Sequence, residues 1–234
     1  MRVPLTILHP GLGPGWWTIP TRQGTDDTQV IEEIMVGDVY HLRGLDRQGW
    51  ADGISGEPKA TVIDLGAHIG VFTATALAMG AGRVIAVEPD EDNARLCALT
   101  VADAGDRVDL RCQAVGPSGV DAVAVSGTGA QAHTAGQGTT WVPAVSLAHL
   151  LGAAGDVALL KCDVEGAEYE TFLSCPSELL GRVALIVMEW HGPSECPWVG
   201  RARIGELVEH LLPTHSPSVF GRPDAGGYLY AHRN

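Results

Sequence analysis

Val62-Ile63-Asp64-Leu65-Gly66-Ala67-His68-Ile69-Gly70 is the stretch on which the fold turns. Thr61 to Leu65 is a short β-branched and aliphatic run that stops at a glycine, and Val71 to Met79 then reads as a helix. Strand, glycine turn and helix in immediate succession open a βαβ unit. Glycines in such a turn let the backbone approach a ligand, and the free amides of the helix N-terminus face the same space.

Outward from this unit the alternation continues. Arg83 to Val87 is a second apolar strand ending at Glu88, Asp90 to Ala102 has the spacing of an amphipathic helix, and Val108 to Val115 is a third strand. After the Gly/Ser/Thr-rich section Val120 to Val145, read as a hairpin or loop, a helix begins near Ser146. A strand follows at Val157 to Cys162, then a helix from about Gly166 and a fifth strand at Val183 to Glu189. A helix near Ile204 to Leu212 and two short strands near Ser218 and Tyr228 complete seven. The pattern predicts an α/β, Rossmann-like fold with a mostly parallel seven-stranded sheet and helices on both faces.

Residues 1–58 read differently and are expected to form an N-terminal arm, a substrate-side cap on the 59–234 domain. His9 to Pro20 is rich in Gly and Pro and carries Trp16 and Trp17, which suggests a turn-dominated segment. Thr28 to Val36 has helical spacing, with Asp27 or Thr28 placed as N-cap. Asp46 to Lys59 is taken as the linker.

Two acids sharpen the glycine loop. Asp64, just before the first glycine, would repel a pyrophosphate and welcome an ammonium group. Glu88 closes the second strand about twenty residues on, where an acid accepts ribose hydroxyls. A cationic amino-acid nucleoside satisfies both, which points to S-adenosylmethionine rather than NAD. A nicotinamide-dependent oxidoreductase is the rival that the loop alone allows, and a catalytically inactive methyltransferase-like binding module is the second.

Ligands of open α/β sheets lie beyond the carboxyl ends of the strands, so the ends of strands four and five are expected to face the same crevice. Lys161 and Asp163 lie two apart, on one face of the strand with Cys162 opposite. A lysine in so apolar a run needs a partner, and Asp163 or Glu165 offers one. Glu168 has a plain explanation as an acid in a first helical turn. Methyl transfer needs an aligned acceptor and removal of one proton, for which Glu189 or His191 is the candidate base. Asp163 and Glu189 end adjacent strands and are the pair that would hold a divalent cation such as Mg²⁺, were one used.

Asp64-Leu-Gly-Ala-His-Ile-Gly, Val87-Glu88-Pro89-Asp90 with Asn93, and above all Lys161-Cys-Asp163-Val-Glu165-Gly166-Ala-Glu168 resemble the FkbM-type S-adenosylmethionine-dependent methyltransferases. The likeness runs from about Asp27 to the end and includes Glu189-Trp-His191. It implies donor binding by Asp64, Gly66, Ala67, His68, Gly70, Glu88, Pro89, Gln113, Ala114 and Asp163. The strand-end positions put catalysis among Asp163, Glu189, His191, Lys161 and Glu165, and the resemblance does not imply a metal. His68 stands where such loops usually carry asparagine, and Ala148-His149 where acids are common. The implied activity is O-methylation of a hydroxyl on a small molecule or sugar, in a biosynthetic pathway.

Composition is consistent with this. The 234-residue chain sets 15 Lys and Arg against 28 Asp and Glu, a net charge of −13, which excludes a basic footprint for nucleic acid. Five scattered cysteines without a paired spacing read as reduced thiols. No aliphatic run is long enough to span a membrane, and the N-terminus does not read as a signal peptide, so a cytoplasmic protein is expected. Tryptophans exposed on the arm would suit a homodimer contact.

Overall fold

A computed structural model describes residues 2–7, 15–42, 60–126 and 140–234; of residues 2–7 and 15–17 it describes the backbone. The chain divides into two compact units, Met1–Cys112 and Gln113–Asn234. The linker Asp46 to Lys59 lies outside the described residues, as do the side chains of Trp16 and Trp17.

The first unit opens with β1 (Arg2–Ile7) and β2 (Gly15–Pro20), paired antiparallel from Arg2 opposite Pro20 to Ile7 opposite Gly15. The second half of the supposed turn-dominated segment is therefore a strand. Its partner is supplied by the first residues of the chain, which local Gly and Pro content does not reveal. Helix α1 (Asp27–Glu32) runs on as a π-helical turn at Glu33–Gly37. Asp26 is its N-cap; Asp27, expected there, is the first helical residue and turns its carboxylate inward. Next come β3 (Thr61–Leu65), α2 (Val71–Ala78), β4 (Arg83–Val87), α3 (Glu91–Thr100) and β5 (Val108–Arg111). All five residues of β3 are buried, and β3, β4 and β5 pair in parallel in that order. Asp90 caps α3, its side chain accepting from the Asn93 amide at 2.9 Å.

The second unit begins with β6 (Ala114–Gly116), β7 (Ala122–Val125) and β8 (Thr140–Ser146), in the order β6-β8-β7. The expected third strand, Val108 to Val115, is thus two strands. It breaks after Arg111, and Ala114 pairs with Ala144 of β8 instead. The arms of the predicted hairpin are β7 and β8, antiparallel; residues 127–139 between them lie outside the described residues. Helix α4 (Leu147–Ala154) is capped by Ser146, which accepts from the His149 amide.

Then follow β9 (Val157–Cys162), α5 (Glu168–Leu173), α6 (Ser177–Leu180), β10 (Val183–His191), α7 (Ile204–Leu211), β11 (His215–Arg222) and β12 (Gly226–Arg233). Strand β10 lies parallel to β9, and β12 runs antiparallel to both β10 and β11. The fifth strand is two residues longer than read, because Trp190 and His191 pair with Gly227 and Gly226 of β12. All seven strands of the expected sheet are present, three in the first unit and four in the second. Among the described residues no helix is long and apolar enough to cross a membrane.

Candidate active site

The first unit brings Asp64, Gly66, Ala67, His68, Gly70, Glu88 and Pro89 together around the β3–α2 turn. The amides of Gly66 and Ala67 both donate to the Val87 carbonyl at 3.0 Å, which ties the turn to the end of β4. Gly70 sits at φ +87°, and a Cβ there would lie 2.8 Å from Cys97 Sγ and 3.2 Å from Cys97 Cα. No side chain fits. His68 also has a positive φ, 50°, a region in which Asn and His are both enriched; this accounts for histidine where asparagine is usual.

Glu88 is 4% exposed and holds the turn closed from the β4 side. One carboxylate oxygen accepts from the His68 amide at 2.8 Å. The other accepts from the Asp90 amide at 3.0 Å and the Asn93 side-chain amide at 3.2 Å. Burial pushes its pKa up to about 7, against the pull of those three bonds. A carboxylate has about four acceptor sites, so three donors leave one for a ligand hydroxyl. Asp64 is fully buried and accepts from the Thr73 hydroxyl at 2.6 Å.

The arm reaches this turn through Arg22, which the sequence did not single out, and Asp27, which it offered only as a helix cap. Asp27, buried, accepts from the Arg22 amide at 2.7 Å and from its guanidinium at 3.1 and 2.7 Å. Burial would raise the Asp27 pKa, but the Arg22 bonds outweigh it and hold it below the ordinary value. His68 Nε2 lies 3.6 Å from Asp27 Oδ1, and Arg22 Nη2 also donates to Asn93 Oδ1 at 2.7 Å. Asn93 thereby accepts from Arg22 and donates to Glu88, which fixes the orientation of its amide.

The second unit gathers Lys161, Asp163, Glu165, Glu189 and His191. Lys161 is 2% exposed, with Nζ 3.8 Å from Asp163 Oδ2. Past β9 the chain turns through Glu165 at φ 52° and Gly166 at φ 95°; a Cβ on Gly166 would meet Val199 at 2.7 Å and the Trp198 indole at 2.8 Å. Glu168 is fully buried and does more than favour a helix start. It accepts from the Gly166 amide at 2.8 Å and the His191 amide at 2.6 Å, and lies 3.2 Å from His191 Nδ1. Tyr169 donates its hydroxyl to the His191 carbonyl, Cys196 Sγ to Glu165 Oε2 at 3.6 Å, and the Trp198 indole to the Glu165 carbonyl.

Electrostatics separate the two base candidates. Burial alone would lower the His191 pKa, but the Glu168 hydrogen bond and the charges of Glu168, Asp163 and Glu165 raise it to about 10. The raised value favours the charged form of His191 at neutral pH and makes Glu189 the better candidate base. Burial and Asp163 push Glu189 up to about 8, despite His191 and Lys161. Burial and Asp163 push Glu165 to about 7.

Gln113 is half-buried ahead of β6 and Ala114 is its buried first residue. A cavity of about 390 Å³ in the second unit is lined by Val115, Val123, Glu165, Tyr169, Trp198 and Arg203, among others. Val120 of the Gly/Ser/Thr-rich section also lines it. Arg22, Asp27, Asn93, Tyr169, Cys196 and Trp198 were not legible as site residues; for Asn93, its place five residues after Glu88 was the available signal.

Comparison with protein families matches residues 64–212 to the Methyltransferase FkbM domain, from Asp64 to the end of α7. The chain belongs to this family. The chain carries a methyltransferase domain of the FkbM type, which speaks against the nicotinamide-dependent reading. Comparison with curated proteins gave no match. Among solved structures, the bifunctional kinase-methyltransferase WbdD is similar at 14% identity with a TM-score of 0.50, over 91% of this chain and 43% of WbdD. The chain therefore spans about two fifths of that protein. Magnesium protoporphyrin IX methyltransferase (ChlM) from Synechocystis PCC 6803, solved with bound SAH, aligns at 14% identity and a TM-score of 0.49, over 92% of this chain and 90% of ChlM. At such identity the likeness to WbdD speaks to the fold alone, the Rossmann-like class I methyltransferase fold.

Proposed function

We propose that this FkbM-domain protein transfers the methyl group of S-adenosylmethionine to a hydroxyl of a small molecule or sugar, in a biosynthetic pathway. The observation that carries the reading is Glu88. It is a buried acid at the end of β4, clamped by the His68 and Asp90 amides and the Asn93 side chain, with one acceptor site left for a ribose hydroxyl. Arg22 and Asp27 brace that clamp from the arm, giving the N-terminal residues a part in donor binding.

When bound, S-adenosylmethionine supplies a sulfonium methyl, an electrophile that needs alignment more than activation. The cavity beside Glu165 suits the acceptor. Val115, Val123 and the faces of Trp198 and Tyr169 offer apolar contact to a ring, while Glu170 and Arg203 offer polar contacts to its substituents. Glu189 takes the hydroxyl proton. Its raised pKa places it near the working pH of a general base, and Lys161 and His191 supply the positive charge that keeps its ionised form accessible.

The test is product formation from methyl-labelled donor with a panel of hydroxylated acceptors, alongside calorimetric titration of the donor and of NAD. Donor binding with label in an ether product supports the proposal. Donor binding with no product across a broad panel favours a binding module, and NAD binding without donor binding overturns the proposal.

A further inference from the structure

The second unit holds a trio of groups that neither the fold nor the methyl-transfer reading uses together. A carboxylate oxygen of Glu165, a ring nitrogen of His191 and the sulfur of Cys196 all lie within 4.8 Å of one another. They come from three separate places: the turn after β9, the last residue of β10, and the segment leading to Trp198. We propose that Glu165, His191 and Cys196 form a binding site for a zinc-type divalent transition metal.

Three features of the geometry carry this. The donor set mixes imidazole nitrogen, thiol sulfur and carboxylate oxygen, which suits Zn²⁺ and disfavours Mg²⁺ or Ca²⁺, whose ligands are oxygens. His191 is held as metal-bound histidines are held. Its Nδ1 faces the buried Glu168 carboxylate at 3.2 Å while Nε2 points at Glu165 Oε2, 3.6 Å away. A carboxylate behind the imidazole fixes the ring and makes the outer nitrogen a better ligand. The backbone also bends to deliver Glu165, a non-glycine residue in the left-handed region at φ 52°, with its carbonyl fastened by the Trp198 indole. That conformation is uncommon for glutamate and persists where surrounding contacts fix it.

The Glu165 and Cys196 contact at 3.6 Å and the Glu165 and His191 contact at 3.6 Å are close to the ligand-to-ligand spacing of a tetrahedral zinc site, since ligands about 2.0–2.3 Å from a metal sit roughly 3.3–3.8 Å apart. One dication replaces the thiol proton of Cys196 and the Nε2 proton of the imidazolium, so the charge of the cluster is unchanged. Three protein ligands leave a fourth position for water or a ligand atom, and Glu165 belongs to the cavity wall as well as to the trio. The other grouping of this kind among the described residues, Asp26, Asp27 and His68, is less suitable, because the Asp27 carboxylate is already engaged by Arg22.

The site stands on geometry independent of methyl transfer, and its test does not use activity. The full chain is loaded with Zn²⁺ or with Co²⁺, dialysed and assayed for metal content and visible absorption. About one Zn²⁺ per chain, with a Co²⁺ form showing tetrahedral d–d bands and a thiolate charge-transfer band, supports the site. Cys196→Ser should abolish the charge-transfer band, and His191→Ala should lower metal retention at least tenfold. Sub-stoichiometric Zn²⁺ in the folded wild-type chain overturns the proposal, as does a Co²⁺ spectrum without thiolate character. Should either variant fail to fold, the wild-type Co²⁺ spectrum decides alone.

Discussion

The glycine-loop region of the first unit and the acidic region of the second differ in what surrounds their carboxylates, although burial raises Glu88 to about 7 as it does Glu165. Around the β3–α2 turn the acids are supplied with donors by the protein. Glu88 accepts three hydrogen bonds, Asp27 takes both the amide and the guanidinium of Arg22, and Asp64 accepts from Thr73. At the ends of β9 and β10, Asp163, Glu165, Glu168 and Glu189 share two buried cations, Lys161 and His191, and the pKa values of Glu165 and Glu189 are raised to about 7 and about 8. The first region is finished by its own hydrogen bonds and presents a shaped surface. The second is short of positive charge, which is where a proton, a metal ion or a reacting group has most effect on energy.

The largest effect should come from taking away the acid closest to a buried cation of the second region. Glu168→Ala leaves the His191 imidazolium buried without its closest carboxylate, at a cost of about 3–5 kcal/mol, measured by urea unfolding. A cost under about 1 kcal/mol would mean that Glu168 is the helix-start acid its sequence position suggests.

Two glycines sharpen the contrast next. Gly70→Ala would press Cβ against Cys97, including its backbone, and should cost about 2–4 kcal/mol. Gly166→Ala has the side chains of Val199 and Trp198 as its nearest neighbours and should cost about 1–2 kcal/mol. The order of the two melting temperatures checks this; a reversed order would place the rigid turn in the second unit.

Removing the brace of the first region should be milder. Arg22→Ala strips Asp27 and Asn93 of a partly exposed cation and should cost about 1–2 kcal/mol at neutral pH. Since the folded-state pKa of Asp27 is lowered, its contribution is present above the unfolded carboxylate value, about 4, and is lost as pH falls through the folded value. The stability gap between wild type and variant should therefore close in acid. A gap that persists there would assign Arg22 a packing role.

The smallest effect is kinetic. With Glu189 raised to about 8, the carboxylate population grows as pH rises through that value, and turnover should increase about tenfold from pH 7 to 9. A flat profile would take the base role from Glu189.

Local chemistry is why the fold was legible. β4 and β9 were read with their observed ends, because each is a β-branched or aliphatic run closed by a turn residue or an acid. Asp90 and Ser146 mark helix starts by capping, a signal carried within three residues. The glycine loop, Glu88 and Lys161 to Glu168 were legible because strand ends and spacing point to them. What stayed hidden depends on residues distant in the chain. Arg22 meets Asn93 across 71 positions, and Glu168 meets His191 across 23. Trp190 and His191 extend β10 because β12 pairs with them, and the break after Arg111 exists because β8 claims Ala114. The rise in the His191 pKa stayed hidden for the same reason, since its carboxylate neighbours come from other elements.

Calorimetric titration with S-adenosylhomocysteine, the demethylated donor, of wild type, Glu88→Ala and Trp198→Ala tests the division of labour most directly. The account predicts binding to wild type, a 10–100-fold loss in Glu88→Ala, equivalent to about 1.4–2.8 kcal/mol, and less than about threefold change in Trp198→Ala. Unchanged affinity in Glu88→Ala, or loss confined to Trp198→Ala, would contradict it.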